Sequence, residues 1–251
     1  MEFLLKAVQG HEIWIVPEVS DKHRGHEVNC RIFYGHAMHP DGRAGLDRLR
    51  AWVADPGGDR MQLPVEEGHD HYRLVRLVPE QEGLWAIVAE NDVGPFVLTK
   101  GGLYKQGTRK DYPDAREAAY YYQYAKTYLQ VGHFCAACGD LSKQADVSLL
   151  GNELEIAVSP GDYRLGSEVE VQVRYRGDPL PHTVVCVSWS ASPKRDWALR
   201  AVTDATGKAR VTLSETGDWL FYVRHADDKR RLTGVYDRRV ISATFCIHGV
   251  C

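Results

Sequence analysis

The stretch "GSEVEVQVRYRG", residues 166–177, decides the fold class of this chain. Its central residues alternate between an apolar and a polar set, namely Val169, Val171, Val173 and Tyr175 against Glu168, Glu170, Gln172 and Arg174. A period of two is that of a β-strand with one face on a core and the other in water. The stretch therefore predicts a half-buried strand, and its surroundings indicate what kind of sheet contains it.

The residues on both sides of this stretch form further short apolar runs. They include "ELEIAV", "HTVVCVSWS", "KARVTL", "DWLFYVRH" and "RVISATFCI", separated by the turn sequences "RGDPLP", "TDATG" and "SETGD". About seven short strands within roughly 100 residues are typical of an immunoglobulin-like sandwich. We therefore predict that residues 151–251 form an immunoglobulin-like β-sandwich.

The first part of the chain shows the same kind of pattern. In "HEVNCRIFYGH", residues 26–36, the predicted buried face consists of Val28, Cys30, Ile32 and Tyr34. "DPGG", residues 55–58, is strong turn chemistry between two further apolar runs. Short strands at this spacing predict a second β-sandwich in the N-terminal part.

The segment "DYPDAREAAYYYQYAKTYLQVG", residues 111–132, follows a different pattern. Asp111 can cap a helix, Pro113 suits a first helical turn, and Gly132 can end a helix. Apolar residues recur between them at helical spacing: Ala118, Tyr121, Tyr122, Ala125, Tyr128 and Leu129. We therefore predict a helix at about residues 113–130.

The predicted fold class is mostly β, with two β-sandwich domains and one connecting helix. The N-terminal sandwich and the helix occupy residues 1–132, and a cysteine-containing linker occupies residues 133–150. The immunoglobulin-like sandwich follows at residues 151–251.

Charge and hydropathy argue against two classes of partner. The 251 residues include 31 basic and 34 acidic side chains, and the formal net charge is -3. This balance lacks the basic surface that attracts nucleic acids and anionic membranes, and no apolar run reaches the length of a transmembrane helix. We therefore expect no nucleic-acid partner and no membrane insertion.

The opening "MEFLLKAVQG" is too short for a full signal peptide, so it leaves the compartment open.

Four of the six cysteines form two close pairs, Cys135 with Cys138 and Cys246 with Cys251. Covalent haem attachment requires C-x-x-C-H, and Gly139 stands where the histidine is needed. Four thiolates could form a closed tetrahedral zinc site. In an oxidising compartment, disulfides between the pairs could instead fasten the C-terminal end to the linker. The residues alone leave both alternatives open.

Seven of the 11 histidines lie in the first third of the chain. Neutral imidazole binds nickel, cobalt, copper and zinc. "GHAMH" places His36 and His39 just after a predicted strand, where a loop can turn both rings toward one ion. If Gly10 ends a leader, the free amine and the ring of His11 could chelate one metal. His11, His36 and His39 are therefore the candidate metal ligands, and Met38 could add a thioether that favours copper(I).

Other candidate sites are weaker. His69 and His71 lie two residues apart at the start of a predicted strand and form a second pair, with an exposed polar strand edge as the alternative. Exposed aromatic residues such as Trp189 and Trp197 suggest carbohydrate binding as a third hypothesis. The chain contains no G-x-S-x-G, P-loop, G-x-G-x-x-G or H-E-x-x-H motif, so we expect no catalytic residues and no enzyme.

The order of motifs along the chain resembles that of a known family. The matching pieces include "HEIWIVPE", "FYGHAMHPDG", "VPEQEGLWAIVAE", "YAKTYLQVG" and "TDATGKARVTLSETGDWLFYVRH". The family has a domain of unknown function and is often described as the periplasmic component of nickel or cobalt uptake systems. His11 and Trp14 match its H-x-x-W-like start, and Gly35 with His36 matches its Gly-His after the second strand. The paired cysteines are not part of the family's pattern.

The resemblance implies export, so we expect a periplasmic or extracellular location and favour disulfides over zinc for Cys135, Cys138, Cys246 and Cys251. It also implies a non-enzymatic accessory of nickel or cobalt uptake. Such a protein would bind nickel or cobalt, or else copper or zinc, and pass the ion to a membrane metal transporter. The alternative is an extracellular structural, adhesion or assembly module built of β-sandwiches, for which self-association is expected.

Overall fold

The computed structural model describes residues 10–18, 23–132, 146–193 and 196–251. Within these ranges the chain forms eighteen β-strands, one short 3-10 turn at Leu46–Arg48 and no α-helix. The prediction of a mostly β fold is confirmed. No helix in the same ranges is long and apolar enough to cross a bilayer.

The largest sheet has nine strands in the part of the chain that the structure describes. In spatial order they are β15 (Leu199–Val202), β14 (Val184–Trp189), β17 (Gly217–Asp227), β18 (Arg238–Val250), β10 (Glu117–Val131), β8 (Gly83–Leu98), β4 (Leu49–Ala54) and β5 (Arg60–Leu63), with β9 (Tyr104–Gln106) paired to β8. Strands β10 and β18 run parallel, whereas the remaining neighbours run antiparallel. Because β10 comes from the first half of the chain and β18 from its end, this pair joins the two halves.

Two smaller sheets complete the described architecture. The first contains β1 (Glu12–Pro17), β2 (Val28–His36), β7 (Tyr72–Leu77) and β6 (Val65–Glu67) in that order, with β3 (His39–Gly42) paired to β2. The second contains β11 (Leu154–Val158), β12 (Glu168–Tyr175) and β13 (Asp178–Pro179), with β16 (Lys208–Thr212) paired to β12.

The two smaller sheets cover opposite faces of the nine-stranded sheet, and strand β10 belongs to both cores. Side chains of β10 that pack with the β1–β2–β7 sheet are Ala119, Tyr121, Ala125 and Leu129. Those that pack with the β11–β12–β16 sheet are Tyr122, Tyr124 and Tyr128. Side chains two residues apart share a face of a strand, so these two sets point in opposite directions. Strand β10 is therefore buried from both sides.

The prediction of a helix at residues 113–130 is wrong, because Glu117–Val131 forms strand β10. Both faces of this strand are buried, so the apolar–polar alternation that marks a half-buried strand is missing from its sequence. Its tyrosines and alanines fit a period of 3.6 as well as a period of two. Pairing with β8 and β18 decides between the two periods, and it needs contacts that are remote in sequence.

Two of the predicted strands are confirmed in detail. Strand β12 buries Val169, Val171 and Val173 and leaves Tyr175 half-buried. Strand β2 buries the predicted face, namely Val28, Cys30, Ile32 and Tyr34.

The domain boundaries and the immunoglobulin-like arrangement of residues 151–251 stay predictions, and the nine-stranded sheet runs across the predicted division.

Candidate functional site

The loop between β2 and β3 is a two-residue hairpin with an unusual backbone. Ala37 and Met38 occupy the turn with φ values of 50° and 72°, and His36 and His39 are paired across its base. Hairpins that need positive φ at both central positions are normally built from Asn and Gly. Other residues held in this conformation store strain, and such strain clusters at functional sites. The hairpin therefore marks a candidate site.

A buried carboxylate forms a hydrogen bond with the backbone of this hairpin. Glu12, at the start of β1, is fully buried, and its Oε1 accepts a hydrogen bond from the backbone N–H of Ala37 at 2.6 Å. Its Oε2 lies 3.5 Å from Nδ1 of His36 and has no hydrogen-bond partner among the described residues. Burial raises the pKa of Glu12 to about 7, although the adjacent His36 and the N–H of Ala37 act in the opposite direction.

His36 lies between two carboxylates and a tryptophan. Its Nε2 is 3.6 Å from Oδ1 of Asp196, and its ring meets Trp197 edge-on with 5.4 Å between ring centroids. The adjacent Glu12 carboxylate is the largest influence on the pKa of His36 and raises it, and partial burial opposes it. Asp196 and Trp197 belong to the connection between β14 and β15, so the C-terminal half closes one side of the site.

His11 forms the other side of the site. Its Nε2 lies 2.8 Å from Oδ2 of Asp41 in β3, and its ring centroid lies 5.9 Å from that of His36. The side chains of His11 and His36 are 20% and 32% exposed, so water can reach both rings.

Strand β1 is held over the seam between β10 and β18. Nε2 of Gln123 in β10 donates a hydrogen bond to the carbonyl of His11 at 2.6 Å. Oγ1 of Thr244 in β18 donates to the carbonyl of Ile13 at 2.7 Å. The sequence places His11 and Glu12 at the start of a strand, but these two long-range hydrogen bonds place them where both halves of the chain meet.

The structure brings two of the three predicted metal ligands together. His11 and His36 are neighbours, whereas His39 is the backbone partner of His36 across the hairpin and is half-buried. Among the described residues, no three His, Cys, Asp or Glu side chains already stand as a group that could hold a metal ion. The site is therefore a pair of imidazoles with adjacent carboxylates rather than a closed cage.

Other sequence-based candidates have different outcomes. Met38 is buried in an apolar cluster with Trp14 and Trp197, which gives its thioether a packing role. Trp197 is only 7% exposed, so the expectation that it is a surface aromatic for carbohydrate binding is wrong. The rings of His69 and His71 lie 6.4 Å apart at an exposed strand end.

The cysteine predictions fall partly outside the described residues. Cys135 and Cys138 lie outside these ranges, so neither a disulfide nor a zinc site that includes them is tested. Cys246 and Cys251 are free thiols, the first buried and the second exposed. Burial raises the pKa of Cys246 well above its ordinary value, which makes this thiol a poor nucleophile.

The sequence-based ligand set did not include Glu12, Asp41 or Asp196. A signal for Glu12 was present, because in "HEIWIVPE" it directly precedes an uninterrupted apolar run that is buried as a strand. No comparable signal marks Asp41 or Asp196, since both are ordinary polar loop or edge residues in the sequence.

Replacing Gly35 with alanine is expected to destabilise the fold at this hairpin. A Cβ at Gly35 would lie 2.1 Å from the carbonyl oxygen of His39 and 2.8 Å from Cα of Pro40, so the backbone would have to move. We expect a loss of about 1–3 kcal/mol in the free energy of unfolding, measured by urea titration. Gly101→Ala is the control, because its Cβ would meet no atom closer than 3.9 Å. Equal stability of the two variants would contradict the close approach at Gly35.

The sequence profile of a domain of unknown function, DUF4198, matches residues 8–227. The chain belongs to the DUF4198 family. The family part of the resemblance is thereby confirmed, whereas the role in nickel or cobalt uptake goes beyond the family's description. No curated protein matches this DUF4198 chain in sequence.

Several solved structures are similar in part to this DUF4198 protein. A mutant of Salmonella α2-macroglobulin has 11% identity and a TM-score of 0.30, over 94% of this chain and 15% of the other. A tetra-tandem repeat from the extending region of a large adhesion protein has 11% identity and a TM-score of 0.26, over 96% and 49%. The D0-D1 domain of intimin has 10% identity and a TM-score of 0.24, over 94% and 97%. The chain thus spans 15% of the α2-macroglobulin and about half of the adhesion fragment.

Proposed function

We propose that the protein is an exported, non-enzymatic accessory of nickel or cobalt uptake that binds a divalent metal ion at His11 and His36. It would pass this ion to a membrane metal transporter. The observation that carries the proposal is the pair of half-buried imidazoles, 5.9 Å between ring centroids, beside a strained hairpin. His39 is kept as a further candidate ligand because its backbone pairs with that of His36 at the base of that hairpin.

The chemistry of the paired rings supports a first-row transition metal. Two imidazoles that bind one ion at about 2.1 Å place their ring centroids roughly 5–6 Å apart, and the observed spacing lies in that range. Imidazole suits nickel, copper and zinc, and carboxylates lie next to both rings. Partial exposure of both rings suits a protein that must take up and release its ion.

Calorimetric titration of the metal-free protein with nickel, cobalt, copper and zinc tests the proposal. We expect a site for nickel or cobalt with a dissociation constant below about 10 µM, which corresponds to about -7 kcal/mol. His11→Ala and His36→Ala should each abolish it. His71→Ala is the matched control, because it removes an early histidine outside this site.

Two results of this titration would contradict the proposal. One is the lack of any site tighter than about 10 µM in the wild-type protein. The other is a site that survives both the His11 and the His36 replacements. His39→Ala decides separately whether the third histidine takes part.

A structural or assembly role is the second candidate, and the edge strand β15 favours it. Leu199 and Val202 on β15 are exposed apolar residues, and Val184 on the neighbouring strand is exposed as well. An edge strand with apolar side chains can pair with another chain. A stable oligomer or fibre in electron micrographs of metal-free protein would favour this role over metal delivery.

A further inference from the structure

One oxygen of the buried Glu12 carboxylate has no hydrogen-bond partner among the described residues. Oε2 is inaccessible to water, while Oε1 of the same group is satisfied by the N–H of Ala37. Leaving a buried carboxyl oxygen unpaired is unfavourable, and native proteins seldom do so without a reason. The oxygen points toward His36, so the expected partner lies at the imidazole pair.

The separation between Glu12 and His36 is unusual for a hydrogen bond and ordinary for two ligands of one ion. Oε2 and Nδ1 are 3.5 Å apart, which exceeds the 2.7–3.2 Å range of N–H···O bonds. Two donors that each lie about 2.1 Å from one ion at a tetrahedral angle are about 3.4 Å apart. The two atoms thus already have the spacing of a shared metal ion.

We propose that Glu12 is the third ligand of this site, so that His11, His36 and Glu12 together bind one divalent first-row metal ion. This inference rests on the proposed function and adds the residue that completes its donor set. Nδ1 of His36 would bind the ion, since this is the nitrogen that faces Glu12. His11 would bind through Nδ1, because its Nε2 is engaged by Asp41, and rotation of its side chain completes the set.

Two further carboxylates lie beside the ring nitrogens that would not bind the ion. Asp196 lies behind Nε2 of His36 at 3.6 Å, and Asp41 lies behind Nε2 of His11 at 2.8 Å. Metal-binding histidines usually donate their second ring N–H to such a carboxylate, which orients the ring and raises its basicity. The ring of His11 shows this arrangement, and Asp196 lies within ion-pair distance of the second ring nitrogen of His36.

The donor set indicates which ion it takes. Two imidazoles and one carboxylate carry a single negative charge and leave coordination positions open, which suits nickel(II), cobalt(II) or zinc(II). Copper(I) prefers soft sulfur ligands, and the nearby Met38 is packed in an apolar cluster. The site should therefore discriminate against copper(I).

Cobalt(II) binding, followed by its visible absorption and by calorimetry, tests the role of Glu12. Glu12→Gln keeps the size of the side chain and an acceptor for the N–H of Ala37, but it removes the charge. We expect it to weaken cobalt binding by more than about 100-fold, whereas Asp196→Asn and Asp41→Asn should weaken it by about 10–100-fold, as outer partners do. Glu18→Gln is the matched control, because Glu18 follows the other end of β1 and should leave the affinity unchanged.

The outcomes separate this inference from the proposed function. If the wild type binds cobalt and Glu12→Gln binds it equally well, Glu12 is no ligand, although the histidine site stands. If the wild type does not bind, both ideas fail. Should Glu12→Gln not fold, as judged by circular dichroism, the infrared difference spectrum of the wild-type protein decides. A shift of a carboxylate band on adding cobalt supports the inference, and an unchanged carboxylate region overturns it.

Discussion

Replacing Lys126 with methionine is expected to lower the free energy of unfolding by about 3–5 kcal/mol, because it leaves a buried carboxylate without its counter-ion. Lys126 and Glu155 are each 3% exposed, and Nζ lies 2.7 Å from Oε1. Burial is the largest influence on the pKa of Lys126 and lowers it, while Glu155 acts in the opposite direction. Each group therefore stabilises the charged form of the other in the protein interior.

The pair also ties three segments together. Nζ of Lys126 donates a second hydrogen bond to the carbonyl of Ser148 at 2.7 Å. Glu155 accepts hydrogen bonds from the N–H groups of Leu150 and Gly151 at 2.8 and 3.0 Å. Strand β10, strand β11 and the loop before β11 thus share one polar network. Loss of Lys126 should loosen that loop as well as reduce the overall stability.

A surface ion pair of the same composition provides the control. Lys208 and Glu170 lie 2.6 Å apart, but their side chains are 42% and 36% exposed. Exposed pairs contribute roughly 0–1 kcal/mol, so Lys208→Met should change stability by less than about 1 kcal/mol. Urea titrations of the two variants and the wild type measure both values. Similar small losses in the two variants would show that Lys126 and Glu155 are not held in a dry interior.

Replacing Phe245 with alanine is expected to reduce stability by about 3–5 kcal/mol and to weaken both halves of the chain together. Phe245 is buried in β18, where its ring contacts that of Tyr128 edge-on with 4.8 Å between centroids. Tyr128 belongs to β10, which is part of both cores. A cavity beside this strand should therefore affect the sheet that contains β1, β2 and β7 as well as the sheet that contains β11, β12 and β16.

Hydrogen exchange followed by mass spectrometry of peptides distinguishes coupled halves from independent domains. We expect the Phe245 variant to lose protection to a similar extent in β2 and β7 and in β12 and β16. Leu103→Ala is the control, because Leu103 is 64% exposed and its truncation should change stability by less than about 0.5 kcal/mol. Normal protection in β2 and β7 with lost protection in β12 and β16 would indicate two domains that unfold separately.

Half-buried strands could be predicted from the sequence, and doubly buried ones could not. Strands β2 and β12 have one face in water, so their periodicity reports their structure directly. Strand β10 has two buried faces, and its tyrosines fit a helix as well as a strand. The same limit applies to the nine-stranded sheet, since this sheet depends on the parallel pairing of β10 with a segment more than one hundred residues away.

The candidate site divides in the same way. The imidazoles of His11 and His36 could be selected from residue type and from their position next to predicted strands. The acidic residues around them come from β1, β3 and the connection before β15, and only the packing of these elements brings them together. The sequence predicts His39 as a ligand with equal reason, yet the hairpin pairs its backbone with that of His36 and does not place its ring in the imidazole pair.

By itself, the sequence determined that this protein is a β protein and that its N-terminal histidines deserve a functional test. Both conclusions depend on neighbours in the chain, because residue type and periodicity act over a few residues. Only the tertiary structure decided that one strand serves two cores, and that a buried glutamate lies beside the imidazole pair. These features arise from strand pairing and burial between segments that are far apart in the chain, and such contacts leave no local pattern to read.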